Sequence, residues 1–269
     1  MLPRWCMGDG ETMERIWRAM VDIRLGDCLE LMKNIPDGSV DLVLCDLPFG
    51  VTQNYWDNII PFDKLWEEYH RVARENAAFV LHCQQPFTSR LVISNEKEFK
   101  YCWHWHKKQC SGFLNAKKQP LRSCEDIAVF YRKQCTYNPQ MRKGKSQLKN
   151  TGGRTSNYGK FTYQPHISEM YYPTNMIEFP LPRFKGGHPT QKPVELLEYL
   201  IKTYTNDGET VLDNCMGSGS TGVACVNTNR NFIGIELDEG YFNIAKKRIE
   251  EAQNEIRQYP SGMGGGRNG

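Results

Sequence analysis

No run of apolar residues approaches membrane-spanning length, and the first residues lack the apolar core of a signal peptide, so the composition predicts a cytoplasmic protein without membrane contact. Ten cysteines are spread over 269 residues without one C-x-x-C pair, too sparse for a disulfide scaffold. With Cys45, Cys83 and Cys215 in apolar strand-like runs, reduced buried thiols are expected. Cys102, His104, His106, Cys110, Cys124 and Cys135 offer zinc-ligand types, but without paired spacing no metal is expected. The net charge of +3 and pI near 8.3 are too small to argue for nucleic acid, so that case rests on how the charge is distributed. The length allows one large domain, or a domain with a sizeable insertion.

The most informative stretch is Thr210 to Gly222, Thr-Val-Leu-Asp-Asn-Cys-Met-Gly-Ser-Gly-Ser-Thr-Gly. A short apolar run ends in Asp213, a loop carries glycines at 217, 219 and 222, and helix-compatible sequence follows. That is the strand, turn and helix start with which an open α/β sheet holds a nucleotide-like cofactor. The glycines also satisfy the dinucleotide pattern, but Asp213 would repel a pyrophosphate and attract a cation. S-adenosylmethionine carries an ammonium and a sulfonium at that place and no phosphate. The loop also lacks the Gly-Lys-Ser/Thr ending of a phosphate-cradling loop. The next strand-like run, Asn231 to Leu237, ends in Glu236, 19 residues after Gly217, where a carboxylate can accept both ribose hydroxyls of an adenosine.

Nearer the start, Val21, Ile23 and Leu25 alternate into a strand ending at Gly26-Asp27, and a short helix from Cys28 to Lys33 follows. Asp27 is therefore a candidate for the cofactor rim. Val40 to Gly50 reads Val-Asp-Leu-Val-Leu-Cys-Asp-Leu-Pro-Phe-Gly. The strand delivers Asp46, and Pro48 then ends the ladder and stiffens the exit. Phe49 follows on a loop, exposed unless something stacks on it. Further on, Leu65 to Arg74 reads as an amphipathic helix, and Ala77 to Cys83 and Ile127 to Tyr131 as strands. Tyr101 to Lys107 reads as a strand with His104 and His106 facing outward. Val194, Leu197, Ile201 and Tyr204 share one face of a helix opened by Pro193, and a last helix from about Glu239 to Ile256 is expected to bury Tyr241, Ile244, Ile249 and Ala252.

Asp46-Leu47-Pro48-Phe49 resembles the Asp-Pro-Pro-Tyr motif of amino-group DNA methyltransferases, and the stretch around Asp213 resembles their Asp-x-Phe-x-Gly-Ser-Gly-Thr loop. His188-Pro189-Thr190-Gln191-Lys192-Pro193 is similar to the segment that precedes that loop. The order, catalytic motif first and cofactor loop last, matches the permuted beta class, and the likeness runs from about Val21 to Ala252. Leu47 stands where the family has proline and Phe49 where it has tyrosine. The family uses the main-chain carbonyl at position 47, which leucine retains, and phenylalanine keeps the stacking face.

The resemblance implies a doubly wound, mostly parallel Rossmann-like α/β sheet with S-adenosylmethionine as cofactor. It assigns Asp46, Leu47, Pro48 and Phe49 to catalysis. It assigns Asp27, Cys28, Asp46, Lys192, Asp213, Cys215, Gly217, Ser218, Gly219, Ser220, Thr221, Glu236 and Leu237 to the cofactor, with Lys192 directed at the cofactor's carboxylate. The reaction implied is methyl transfer to N6 of a flipped adenine in double-stranded DNA, with N4 of cytosine as the alternative. No Pro-Cys dipeptide occurs in the chain, which counts against 5-methylcytosine chemistry with its cysteine nucleophile. A non-catalytic DNA-binding relative and a dinucleotide-dependent oxidoreductase are the other classes, and the Asp213 loop with Glu236 disfavours both. A homodimer and a companion restriction endonuclease are the further partners the resemblance brings into view, in a bacterial or phage setting.

Between Asp126 and Glu169 there is no acidic residue, while eight lysines and arginines occur there, interleaved with Tyr137, Tyr158, Phe161 and Tyr163. Such a segment pairs with phosphates and offers rings to unstacked bases. Arg142, Lys143, Lys145, Lys149, Arg154 and Lys160 are its candidate nucleic-acid contacts. The domain plan is a leader over 1–20, a catalytic domain over 21–131 and 188–256, an inserted target-recognition region over 132–187, and a disordered tail over 257–269. Asp27, Asp46, Asp213 and Glu236 all fall at carboxyl ends of strands, which converge on one crevice in such a sheet. Four like charges at one edge cost stability unless a cationic cofactor and an amine substrate meet them.

Overall fold

The computed structural model describes residues 19–50, 58–149, 153–155, 159–161, 166–181 and 191–258, with side chains described outside 148–166. The leader up to 18, the residues 182–190 that include His188-Pro189-Thr190, and the tail beyond 258 lie outside the described residues. In chain order the elements are β1 (Val21–Leu25), α1 (Cys28–Met32), β2 (Val40–Asp46), α2 (Phe62–Val72), β3 (Ala73–Cys83), α3 (Phe87–Ser94), β4 (Phe99–Ser111), β5 (Arg122–Phe130) and β6 (Arg142–Lys149). There follow β7 (Gly153–Thr155), β8 (Gly159–Phe161), β9 (His166–Tyr171), β10 (Met176–Glu178), α4 (Val194–Tyr204), β11 (Thr210–Asp213), α5 (Ser220–Asn227), β12 (Asn231–Glu236) and α6 (Glu239–Gln258).

Eight strands form one sheet in the order β1-β12-β11-β2-β3-β5-β4-β10. All neighbours pair parallel except β5, which runs against both β3 and β4. From β2 the chain winds outward to β3; it later returns through β11 and winds the other way to β12. The reversal lies between β2 and β11, and in such sheets the crevice for ligands opens at the carboxyl ends of the strands on either side. The expected doubly wound, mostly parallel sheet is the one observed.

The apolar run of β2 explains why both faces are covered. Leu42 and Leu44 turn into a core with Val80, Trp105, Leu197, Tyr204 and Phe232, under α4, α5 and α6. Val43 and Cys45 turn into a second core with Leu65, Tyr69, Phe79 and Phe130, under α1 and α2. A strand buried on both faces reads as a continuous hydrophobic run rather than an alternating one. In β4 the alternation is visible instead: Trp103 and Trp105 are buried, while His104 and His106 point outward to Asp126 and Glu178.

Several boundaries differ from the sequence reading. Helix α2 starts at Phe62, directly after Pro61, and ends at Val72, with β3 following at once. Helix α6 runs on to Gln258, two residues into the expected tail. It buries Ala245, Ile249 and Ala252, whereas Ile244 is exposed and Tyr241 half-buried. The reason is close approach: a Cβ on Gly219 would lie 2.8 Å from Ala245 Cβ, so the helix turns an alanine, not Ile244, toward the loop. Within the segment read as an insertion, β6–β9 and β7–β8 form two separate antiparallel pairs. Strand β10, however, joins the main sheet beside β4, Cys135 is buried in the main core, and Asn138 N donates to Thr203 O at 2.7 Å. Among the described residues no helix is long and apolar enough to cross a membrane.

Candidate active site and cofactor cradle

A cavity of about 970 Å³ opens at the carboxyl ends of the central strands. Asp27, Asp46, Asp213 and Glu236 all line it, as the strand-end argument predicts. So do Leu47, Pro48 and Phe49 of the β2 exit, and Cys28, Lys192, Cys215, Gly217, Ser218, Ser220, Thr221 and Leu237. Of the residues expected at the catalytic and cofactor sites, Gly219 alone is not on its wall. It sits behind it, against Ala245.

The β11–α5 loop is built by its own side chains. Asp213 is 3% exposed; its Oδ2 accepts from Thr221 Oγ1 at 2.6 Å and its Oδ1 from Cys215 N at 3.1 Å. Burial raises its pKa to about 6, against the lowering effect of those donors. Gly217 and Gly219 take left-handed φ values of 52° and 77°, a region costly for side-chain-bearing residues. Glu236 accepts from Gly217 N at 2.7 Å through Oε2 and from Asp238 N at 2.8 Å through Oε1, and burial pushes its pKa up. Asp27 caps α1, accepting from Leu29 N and Glu30 N. Ser218 and Ser220 are buried and accept from the Arg248 guanidinium. Asn214, which the sequence reading passed over, accepts from Tyr69 Oη at 2.6 Å and anchors the loop to α2.

At the end of β2 the Leu47 side chain is 3% exposed and sits in the core beneath α1 and α2. Leucine thus holds this turn by burial where a proline would hold it by its ring. Phe49 is half-buried, its ring centroid 5.0 Å from that of Phe87. Asp46 Oδ2 is 2.5 Å from Lys192 Nζ, while Asp46 Oδ1 is buried and has no hydrogen-bond partner among the described residues. Lys192, expected to face the cofactor's carboxylate, is therefore directed at Asp46 and, at 3.8 Å, at Glu125. Burial works against its charge, but Asp46 and Glu125 outweigh it and hold the ammonium's pKa above its usual value.

Glu125 in turn accepts from Lys107 Nζ at 2.9 Å, so a row of alternating charges, Lys107, Glu125, Lys192 and Asp46, runs along the cavity wall. The signal for Lys107 lies in the β4 alternation, where it occupies the inward phase after Trp103 and Trp105. His82, paired in register with Asp46 across β2 and β3, is buried beside this row with neither ring nitrogen partnered among the described residues. Burial first, and Lys192 second, lower its pKa to about 3, so the ring is neutral.

The residues fit S-adenosylmethionine. A cationic cofactor matches the buried Asp213 and the Glu236 carboxylate around a loop with no basic residue, and Asp46 Oδ1 is a buried acceptor without a donor, a costly state unless a ligand supplies one. Of the candidate nucleic-acid contacts, Arg142, Lys143 and Lys145 are exposed on β6 around a surface cleft with Tyr171. Lys149, Arg154 and Lys160 fall on β6, β7 and β8, and their side chains lie outside the described residues.

The model of the DNA methylase family of N6/N4 type matches residues 40–247. The DNA adenine methyltransferase YhdJ of Escherichia coli (strain K12) is 30% identical over 260 residues, covering 85% of this chain and 82% of its own. The type II methyltransferase M.HpaI of Haemophilus parainfluenzae is 26% identical, over 85% of this chain and 74% of its own. Among solved structures, the M1.HpyAVI–SAM complex superposes with a TM-score of 0.60 at 26% identity, covering 86% of this chain and 99% of that one. The cytosine-N4-specific PvuII DNA methyltransferase superposes with a TM-score of 0.62 at 17% identity, over 90% and 94% of the two chains, a likeness of fold.

Proposed function

The chain belongs to the N6/N4 DNA methylase family, and from that premise we propose that it transfers a methyl group from S-adenosylmethionine to N6 of an adenine flipped out of double-stranded DNA, with Asp46 and the Leu47 carbonyl as the acceptors for the amino group. That it is an S-adenosylmethionine-dependent DNA methyltransferase follows from the family. The target base and the residue roles go beyond the family and belong to the proposal. The observation that carries it is Asp46 Oδ1, a buried, unpartnered acceptor at the mouth of the β2 turn, in the same cavity as Asp213 and Glu236.

When bound, the cofactor supplies a methyl group on a sulfonium, an electrophile needing no further activation. The exocyclic amine is a poor nucleophile because its lone pair is delocalised into the ring. Asp46 Oδ1 and the Leu47 carbonyl accept its two hydrogens, which localises the lone pair and aims it at the methyl carbon. Asp46 would meet the positive charge developing on nitrogen and take the proton that the product amine must lose. Phe49, backed by Phe87, offers a ring face to the flipped base. Asp213, Glu236 and the glycine loop hold the cofactor, and the basic strand β6 holds the DNA backbone.

Cytosine N4 is the second reading, favoured by the same acceptor pair, which suits either amino group. The type II names among the relatives support a companion endonuclease, and a homodimer is the expected assembly of the class. The test is incubation with labelled S-adenosylmethionine and unmethylated DNA, followed by nucleoside analysis, with Asp46→Ala alongside. N6-methyladenine that disappears in the variant is the expected result. N4-methylcytosine moves the reading to its alternative, and absence of any labelled nucleoside overturns it.

A further inference from the structure

The β4–β5 hairpin ends in a turn that neither core explains. Ser111 and Arg122 are its last registered pair, and both line the mouth of the cavity. Beyond them, Phe113 and Leu114 stand 76% and 85% exposed, adjacent large apolar side chains that make no part of either core. Gly112, at φ 87°, turns the chain into this tip.

The charge on the turn itself has one sign: from Ser111 to Arg122 there is no acidic residue, whereas Lys107 and Lys108, lower on β4, pair with Glu125 and Glu178. Lys117 and Lys118 are exposed on the tip itself. Arg122 Nη1 donates to Gln84 Oε1 at 3.1 Å, tying the base of the tip to the cavity wall. An apolar point flanked by cations at the rim of the 970 Å³ cavity suits a partner that is anionic outside and apolar between its stacked planes. Duplex nucleic acid has that chemistry, and proteins that distort it insert apolar wedges between base steps.

We propose that the Phe113–Leu114 tip enters the DNA duplex beside the target and occupies the space the flipped base leaves. This rests on the reading of the protein as a base-flipping DNA methyltransferase. Apolar side chains stacked in the vacated step offset the lost stacking, and Lys117 and Lys118 neutralise the flanking phosphates.

The experiment first maps the modified position in plasmid DNA treated with the wild-type protein, then uses two duplexes of that sequence, one with the target base paired and one with it opposite an abasic site. Flipping is least costly for a base without a partner. The double variant Phe113→Ser/Leu114→Ser is expected to lose about tenfold or more in kcat/KM on the paired duplex, from lost stacking. On the abasic-opposed duplex it stays within about twofold of wild type. Phe113→Trp keeps the wild-type ratio between the two duplexes, and unchanged S-adenosylmethionine binding in each variant shows that the cofactor site is intact. Equal losses on both duplexes, or no loss on the paired one, overturn the proposal. So does a wild-type dimer that the double variant abolishes without changing the ratio, which would make the tip a protein contact. A wild-type protein that methylates neither plasmid nor duplex overturns the parent reading, and that failure is seen before any variant is made.

Discussion

Lys192 Nζ lies 2.5 Å from Asp46 Oδ2 and 3.8 Å from Glu125 Oε2, so one buried ammonium holds a carboxylate of β2 against one of β5. Because Oδ2 is engaged, Oδ1 is the atom left for the amino hydrogen on the proposed mechanism. That mechanism makes Lys192 a positioning residue for Asp46, and its removal should be felt in the transfer step. Deleting one member of a buried ion pair leaves the others uncompensated. In Lys192→Met, kcat is expected to fall at least about tenfold while the S-adenosylmethionine Kd stays within about threefold. A Kd raised tenfold at unchanged kcat would instead assign the ammonium to the cofactor's carboxylate. Glu125→Gln should give a smaller loss with the same split, since it acts on Asp46 only through Lys192.

If Asp213 holds the cofactor as proposed, its raised pKa predicts a pH dependence of binding. Burial lifts this carboxyl from 3.8 to about 6, so the folded protein holds its proton more tightly than the unfolded chain does. The ionised group therefore costs stability above pH 6, about 3 kcal/mol for a shift of this size, and that cost disappears as pH falls from about 6 toward 3.8. A bound cation reverses the balance by favouring the carboxylate. S-adenosylmethionine affinity is expected to weaken as pH drops through about 6, with a proton released on binding below it. Calorimetry in buffers of different ionisation enthalpy measures that proton. In Asp213→Asn the affinity should be low and flat across the window.

Leu47 tests what holds the catalytic turn. Its side chain is 3% exposed in the core under α1 and α2, and its carbonyl is the second proposed acceptor. Leu47→Ala keeps the carbonyl and removes the anchor. Thermal unfolding should show a loss of about 2–4 kcal/mol, and kcat should fall while cofactor affinity holds. A variant that loses stability at unchanged kcat would show that Pro48 alone fixes the turn.

The strand-end acids were legible because strand, turn and glycine follow one another in sequence, and the sheet then brings Asp46 and Asp213 together through the adjacent strands β2 and β11. The doubly wound order was legible for the same reason, since short apolar runs feeding helices leave few alternatives. The partners of Lys192 were not. Glu125 sits on β5, the one reversed strand of the main sheet, and no local pattern announces that reversal. Ile244 was placed inward from helical period alone, but what turns α6 is the absence of a side chain at Gly219 on another element. Position β10 in the sheet likewise depends on three residues, Met176–Glu178, finding the edge of β4, too short a run to be read as a strand.

Gly219 is where loop and helix constrain each other most tightly. Its φ of 77° disfavours any side chain, and a Cβ there would lie 2.8 Å from Ala245 Cβ and 2.9 Å from Ala245 Cα. The second contact is with backbone, so no rotamer change relieves it, and Gly219→Ala must shift α6 or the loop that carries Gly217 and Ser218. Because Glu236 and Asp213 are both bonded to that loop, the shift reaches the cofactor cradle. Cofactor affinity is expected to drop about tenfold or more, with a stability loss of about 1–3 kcal/mol. Adding Ala245→Gly removes the Cβ–Cβ clash and leaves the backbone contact and the φ strain, so the double variant should recover part of the affinity and not all of it. Full recovery would mean that side-chain crowding alone is at stake, and no recovery would mean that the left-handed turn dominates; isothermal titration of the two variants against wild type separates these outcomes.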